Sequence, residues 1–410
     1  MKSSFCIAII IMLFAAAAAN AATISLWHAY RGQEAKAIQK VAQKFNLTHK
    51  DQVRLLMVPF GAFSSKLLNT IPLRQGPDVF IYGQDHVGSW VNNRIILSLD
   101  YQVRRAGGRA FLKRFFPNTL QAFRYKYAKA LWAIPGSFKN LCLFYNKRLV
   151  RKPPRTMSQL IAMGKRFTNP RDGAFGRWGL IYDMGNFYYH TMWVQGFGGR
   201  IFRKVGRNYI PQIHSAAMAN SMRYALKIRK SGIVPEGASD TLMTQLFNRG
   251  KAMFVINGQW FRGEIARNIN YGVAQLPVID ETGKPAVPFL TVEGYFMARY
   301  CRNQKAAFEV IRFFTSKGMA KYFAYIGKQT PANREAYRRY RKLRTEPVSR
   351  VFRSAAKFAV PMPNNPEMTL TWGPAVSALN ACLGGANIQA TLKRFQRQLV
   401  ASIKKAKRGR

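Results

Sequence analysis

Apolar and polar positions alternate through "TISLWHAY", residues 23–30, as they do in a strand with one buried face. The period then lengthens, and in "RGQEAKAIQKVAQKFN" Ile38, Val41, Ala42 and Phe45 fall on one side of a helix. "QVRLLMVPF" returns to the strand pattern, the spacing predicts a short helix over 64–74, and "DVFIYG" is a third apolar run. Strand, helix, strand, helix, strand predicts right-handed crossovers and a parallel sheet with helices on its faces. Ligands of such sheets sit beyond the carboxyl ends of the strands, which draws attention to 27–32 and 82–86.

Further along, "KALWAIPGSFKNLCLFYNKRLV" holds two apolar runs around Pro135 and Gly136, and "KPPRTMSQLIAMGKRF" starts a helix after its prolines. A strand at 178–180 precedes a helix over 214–230 with Met218, Met222, Ala225 and Leu226 on one face. "KAMFVING" reads as a buried strand. "FLTVEGYFMARY" is strand-like again, and the helix carrying Ala307, Ile311 and Phe314 follows it as a second visit to the earlier sheet. The pattern is that of two α/β lobes. No internal repeat or low-complexity linker separates them.

The 410 residues, 48% apolar and 13% aromatic, are ample for two or three packed domains. Charge changes the picture more: 65 Lys and Arg stand against 17 Asp and Glu, while total charged content is only 20%. Acids are missing more than bases are added. The bases are spread along the chain and dense only at 334–357 and 404–410, unlike the single basic patch of a nucleic-acid binder, so no nucleic acid is expected. An acidic compartment or an anionic envelope would each suit such a balance.

The first 21 residues read as a signal peptide, with Lys2 before the apolar stretch 7–19 and small residues Ala19-Asn20-Ala21 at the cleavage point. Cleavage after Ala21 and a periplasmic, soluble mature protein are expected. Cys6 lies inside this segment without the upstream context of a lipid-attachment cysteine. Cys142, Cys301 and Cys382 are far apart with no metal-ligand spacing, and buried thiols are expected. No Gly-x-Ser-x-Gly elbow and no phosphate-cradling P-loop occurs. With so few acids, a glycosidase pair of carboxyls has few candidates, so no enzyme is expected.

Several segments together carry a resemblance: "LWHAYRGQE", "GPDVFIYGQD", "IPGSFKNLCLFYNKRLVRKPPRTMSQL", "LFNRGKAMFVINGQW", "TPANREAY" and "VPMPNNPEMTLTWGPAV". In this order they are similar to the extracellular solute-binding proteins of ABC importers, closest to the maltose/maltodextrin-binding branch. The resemblance implies a two-lobed, type II periplasmic-binding-protein fold, each lobe a sheet flanked by helices, with a multi-strand hinge and a ligand cleft. It places 22–137 plus 289–337 in one lobe and 138–288 plus 338–410 in the other. It implies a monomer that binds an oligosaccharide or small sugar and hands it to the membrane subunits of an ABC permease. No metal or cofactor is implied.

Sugars need flat aromatic plates edged by hydrogen-bonding groups. On matching segments the stacking aromatics fall at Tyr82, Tyr188, Trp260 and Trp372, and polar contacts at Arg31, Asp85 and His86. Trp260 and Trp372 are expected as exposed platforms, the latter in a loop before a helix. Asp78 is expected to order the turn before its strand. Where the maltose-binding relative uses acids, this chain has Tyr30, Lys139 and Asn186, one aromatic position reads Gly373, and Glu293 is placed on a strand end near the hinge. Lysine cannot accept a hydrogen bond, so two ligand classes stay open. One is a malto-oligosaccharide or similar sugar. The other is an acidic sugar or phosphorylated polyol, which Lys139 and Arg31 would suit; a polyanion-binding envelope protein is a more distant third.

Overall fold

The computed structural model describes residues 21–126, 130–206 and 208–408. The expected signal peptide, except its last residue Ala21, lies outside the described residues.

The first sheet is built as the alternation predicts. Strand Thr23–His28 lies parallel to Gln52–Met57 on one side and to Val79–Gly83 on the other. Helix Gly32–Thr48 packs its Ala37, Ile38, Val41, Ala42 and Phe45 stripe on this core. The second helix runs Phe60–Thr70 and so begins four residues before the expected start, directly behind Pro59, whose extended backbone opens it. Asp78 accepts the Ser25 N–H at 2.9 Å, tying the entry of one strand to its neighbour.

The sheet does not stay parallel. The returning strand Phe289–Met297 pairs antiparallel with both Val79–Gly83 and Ala133–Lys139. Pro135 and Gly136 do not break the latter strand, as the two apolar runs suggested. They form a bulge opposite Glu293 and Gly294, where a proline without an N–H is tolerated and the strand bends. Short strand Val360–Pro361 then joins at Phe289 and Leu290.

The second sheet has the order Tyr271–Ala274, Cys142–Asn146, Ala252–Asn257, Trp178–Ile181. Cys142–Asn146 runs antiparallel to the strands on both its sides, and Trp178–Ile181 is parallel to its neighbour Ala252–Asn257. Helices Met157–Phe167, Ala216–Lys230 and Ile388–Arg408 belong to this half, and separate apolar cores fill it. The result is two α/β lobes.

Several chain crossings join them. Strand Ala133–Lys139 leads through Asn140 into Cys142–Asn146, and Thr330 to Ala332 runs beside it, bonded at Phe138 and Gly136. Buried Gln259, from the second lobe, binds this bundle: it accepts the Asn140 N–H at 3.2 Å and donates to the Phe138 carbonyl and the Thr330 hydroxyl. Cys142, Cys301 and Cys382 are free and buried.

Candidate functional site

Both loops singled out by topology end at the junction of the lobes. After Thr23–His28 the buried His28 ring accepts the Tyr30 N–H at Nδ1, 3.1 Å away, which shapes the turn. Burial lowers the pKa of this imidazole to about 4, so it stays neutral. Tyr30 is only 4% exposed and donates its hydroxyl to Glu293 Oε2 at 3.1 Å. Arg31 sits at the N-cap of helix Gly32–Thr48 and is exposed; no described residue holds its guanidinium.

Glu293 is the hub of a buried charge cluster. It is flanked across the sheet by Gly83 on one strand and Ser137 on the other, so its carboxylate rises where one neighbour has no side chain. The Ser137 hydroxyl donates to it at 3.2 Å, and Lys139 Nζ at 2.8 Å. The same ammonium lies 3.4 Å from Glu34 Oε1, to which Gln329 also donates at 2.9 Å. Burial alone would lower the Lys139 pKa, but Glu293 and Glu34 outweigh it and drive it up. Burial raises the Glu34 pKa, with Lys139 acting the other way. Lys139 also stands 5.7 Å from the ring centres of both Tyr30 and Trp260, within cation–π range.

The second loop forms the tight turn Gln84–His86. Asp85, 8% exposed, accepts the Trp372 indole N–H at 3.1 Å. A methyl on Gly83 would lie 2.8 Å from Asp85 Oδ1, so glycine there lets the carboxylate fold back over the strand end. Burial pushes the Asp85 pKa up, yet the neighbouring His86 and the indole bond prevail and hold it below the ordinary value. His86 Nδ1 is 3.2 Å from Asp85 but off the line of a hydrogen bond. Its ring packs at 5.0 Å from both Tyr82 and Trp90.

Tyr82 is not an open plate: it is 6% exposed and stacked on Phe60 at 5.1 Å with the rings 7° apart. Tyr188 shares a hydrogen bond with Thr291 Oγ1 at 3.1 Å, and its ring centre lies 6.3 Å from that of Trp260. Asn186 caps helix Phe187–Gly196 by accepting the Tyr188 N–H, so its side-chain oxygen is already engaged. Trp372 lies within helix Glu367–Leu383, not in a loop. Pro374 sits inside that helix, and Met368, Thr371, Ala375, Ala378 and Leu379 are buried along it and hold it together.

Tyr30, Lys139, Glu293, Trp260 and Tyr188 thus meet in one cluster, and Tyr82, Asp85, His86 and Trp372 in a second. Adjacent strands join the two, with Glu293 beside Gly83 and Gly294 beside Tyr82. Arg31 stands outside both, and Asn186 serves the helix beneath Tyr188. The lobes are drawn together: a methyl on Gly263 would lie 3.3 Å from Gln33 Cβ across the gap.

Glu34, Ser137, Gln329 and Thr291 escaped the sequence reading. Glu34 was open to discovery, because a carboxylate in the first turn of a helix beginning at a predicted ligand loop is conspicuous in a chain so poor in acids. Gln84 was missed as well. Its buried amide accepts the Val292 N–H at 2.6 Å and donates to the Leu290 and Met362 carbonyls at 3.0 and 3.3 Å.

Comparison with known proteins agrees with this architecture. The maltotriose-binding protein of Pyrococcus abyssi is 24% identical over 392 residues, covering 93% of this chain and 82% of the relative. The galactooligosaccharide-binding protein of Bacillus subtilis is 25% identical over 364 residues, 86% of this chain and 83% of the relative. Among solved structures, the maltotriose-binding protein of Thermus thermophilus with bound maltotriose superposes with a TM-score of 0.84 at 24% identity, covering 93% of this chain and 100% of that one. Residues 31–321 match the model of one family, described as bacterial extracellular solute-binding protein. The chain belongs to the bacterial extracellular solute-binding protein family.

Proposed function

We propose that this protein is the substrate-binding component of a carbohydrate ABC importer. It binds a malto-oligosaccharide or similar neutral sugar between its lobes and delivers it, unchanged, to membrane permease subunits. The lobes are 22–137 with 289–337 and 138–288 with 338–410, and the working protein is an exported, periplasmic monomer. Family membership and the names of its relatives support the transport role.

One observation favours a neutral over an acidic ligand: Lys139, the cation nearest the aromatic rings, is already matched by Glu293 and Glu34. A buried ammonium with two carboxylates has little attraction left for a third anion, while Asp85 offers acceptor lone pairs that sugar hydroxyls fill. Tyr82, Tyr188, Trp260 and Trp372 supply the flat faces, and opening of the lobes is needed to free them.

A thermal-shift series with maltose, maltotriose, galactooligosaccharide, sugar acids and glycerol phosphate tests this reading, because a ligand that binds only the native state raises its melting temperature. Neutral oligosaccharides are expected to raise it and the anions to leave it unmoved. The opposite order would transfer the assignment to the acidic-ligand class.

A further inference from the structure

Behind the hinge lies a groove that the cleft does not use. Phe138 and Lys139 are consecutive in one strand, so their side chains leave it on opposite faces. Lys139 enters the charge cluster, and Phe138 faces the other way into a groove of about 380 Å³ lined also by Phe116, Asn118, Arg350, Arg353 and Lys357. That volume falls in the range of small-ligand sites.

The charge in it is one-signed. Arg350 and Arg353 are one helical turn apart on Pro347–Ala355, and Lys357 follows another turn on. No carboxylate lines the groove. The nearest acid on that helix, Glu346, caps its N-terminus through the Val348 and Ser349 N–H groups and pairs with Arg262. Arg350 and Lys357 have no side-chain hydrogen bond or ion pair to a described residue. Arg353 is held in place: its guanidinium lies 4.6 Å over the Tyr337 ring and donates to the Arg344 carbonyl at 2.6 Å. Three cations line one groove, one of them is pre-oriented, and the floor is aromatic, with Phe116 and Phe138 edge to face at 5.9 Å.

We propose that this groove is a second ligand site, for an organic phosphate monoester whose charged end meets the three cations and whose apolar end lies on the two phenylalanines. Guanidinium forks match phosphate oxygens, and a lysine adds a point charge. The groove lies where the two halves meet. Phe116, Phe138 and the lining Ala356 pack on the core of the first sheet, whereas Phe352 and Ala355 of the helix pack on that of the second. Movement at the hinge therefore changes the groove, and by linkage its occupant biases the cleft by the same factor that the cleft's ligand biases the groove. The anion site itself does not rest on the sugar assignment; its coupling does.

Calorimetric titration of the full mature chain with phenyl phosphate, at fixed ionic strength, tests the site. One saturable equivalent is expected, tighter than for inorganic phosphate. The Arg350→Glu/Lys357→Glu pair is expected to weaken it roughly tenfold or more, the scale of losing charge-assisted bonds. Lys40→Glu/Lys50→Glu makes the same change in net charge on an exposed face elsewhere and is expected to leave binding intact. Equal loss in both pairs, or no saturation, would mean only diffuse attraction and overturn the site. Equal affinity for inorganic phosphate would overturn the monoester class. With saturating maltotriose the phenyl phosphate affinity should shift, and an unchanged value would refute the coupling. Should maltotriose itself fail to bind, the cleft reading falls while the anion result stands.

Discussion

Gly258 has ordinary extended angles, yet a methyl there would lie 2.0 to 2.5 Å from the Trp260 ring, which covers it. Gly258→Ala therefore keeps the backbone and must displace the indole. A sugar stacked on Trp260 should then bind roughly three- to tenfold more weakly, in line with about 0.5–1.5 kcal/mol for an aromatic contact. Calorimetry with maltotriose reads this, and undiminished affinity would remove Trp260 from the site. Asp85→Ala leaves the Trp372 indole N–H without its acceptor, so both affinity and stability are expected to fall, the latter by about 1–3 kcal/mol in a denaturant titration. Asp85→Asn, which still offers an oxygen to the indole, should recover most of the stability. At this scale the sequence exposed Asp85 and Tyr82, because an apolar strand ends beside them. It could not expose the pairing of Lys139, since Glu34 and Glu293 lie 105 and 154 positions away and only the folded sheet brings them together.

Among the elements, strand Phe289–Met297 organises the site. It carries Thr291 and Glu293, pairs with three other strands of the first sheet, and is stitched at its start by the Gln84 side chain. Replacing Gln84 by Ala strands a buried N–H and weakens two carbonyls, a loss of about 2–4 kcal/mol by the usual cost of unsatisfied buried groups. Chemical denaturation checks it; a change under about half a kcal/mol, the scale of ordinary surface substitutions, would contradict the stitching role. Most elements were legible because their apolar periods are strong. The exceptions have physical causes. Glycine and proline at 135–136 mark a bulge inside a strand, and at 373–374 they are carried by a helix whose buried face outweighs local propensity. The antiparallel return of Phe289–Met297 depends on a partner some two hundred residues earlier, which no local pattern reveals.

For the whole molecule, the 17 acids are few, and three of them, Glu34, Asp85 and Glu293, are spent where the lobes meet. Acid sensitivity then owes much to buried histidines. Burial lowers His28 to about 4 and His190 to about 3, against about 6.5 in the unfolded chain. Between those values the unfolded state binds more protons, so stability is intact above about pH 6.5 and falls progressively below it, the loss being complete near pH 4 for His28 and near pH 3 for His190. The loss is about 3 kcal/mol for His28 and about 5 kcal/mol for His190, and His190→Gln should flatten the profile measured by urea unfolding. The two-lobed architecture was legible from the alternation of elements and from the resemblance, whereas the drawn-together state of the lobes was not, because contacts such as Gln33 against Gly263 leave no trace in sequence. Whether a neutral oligosaccharide is held between the lobes by aromatic faces and Asp85 is read by calorimetric titration of the mature chain with maltotriose at low and high salt. One equivalent should bind with an affinity that salt hardly changes. Absence of binding, or an affinity that collapses as salt rises, would contradict the account.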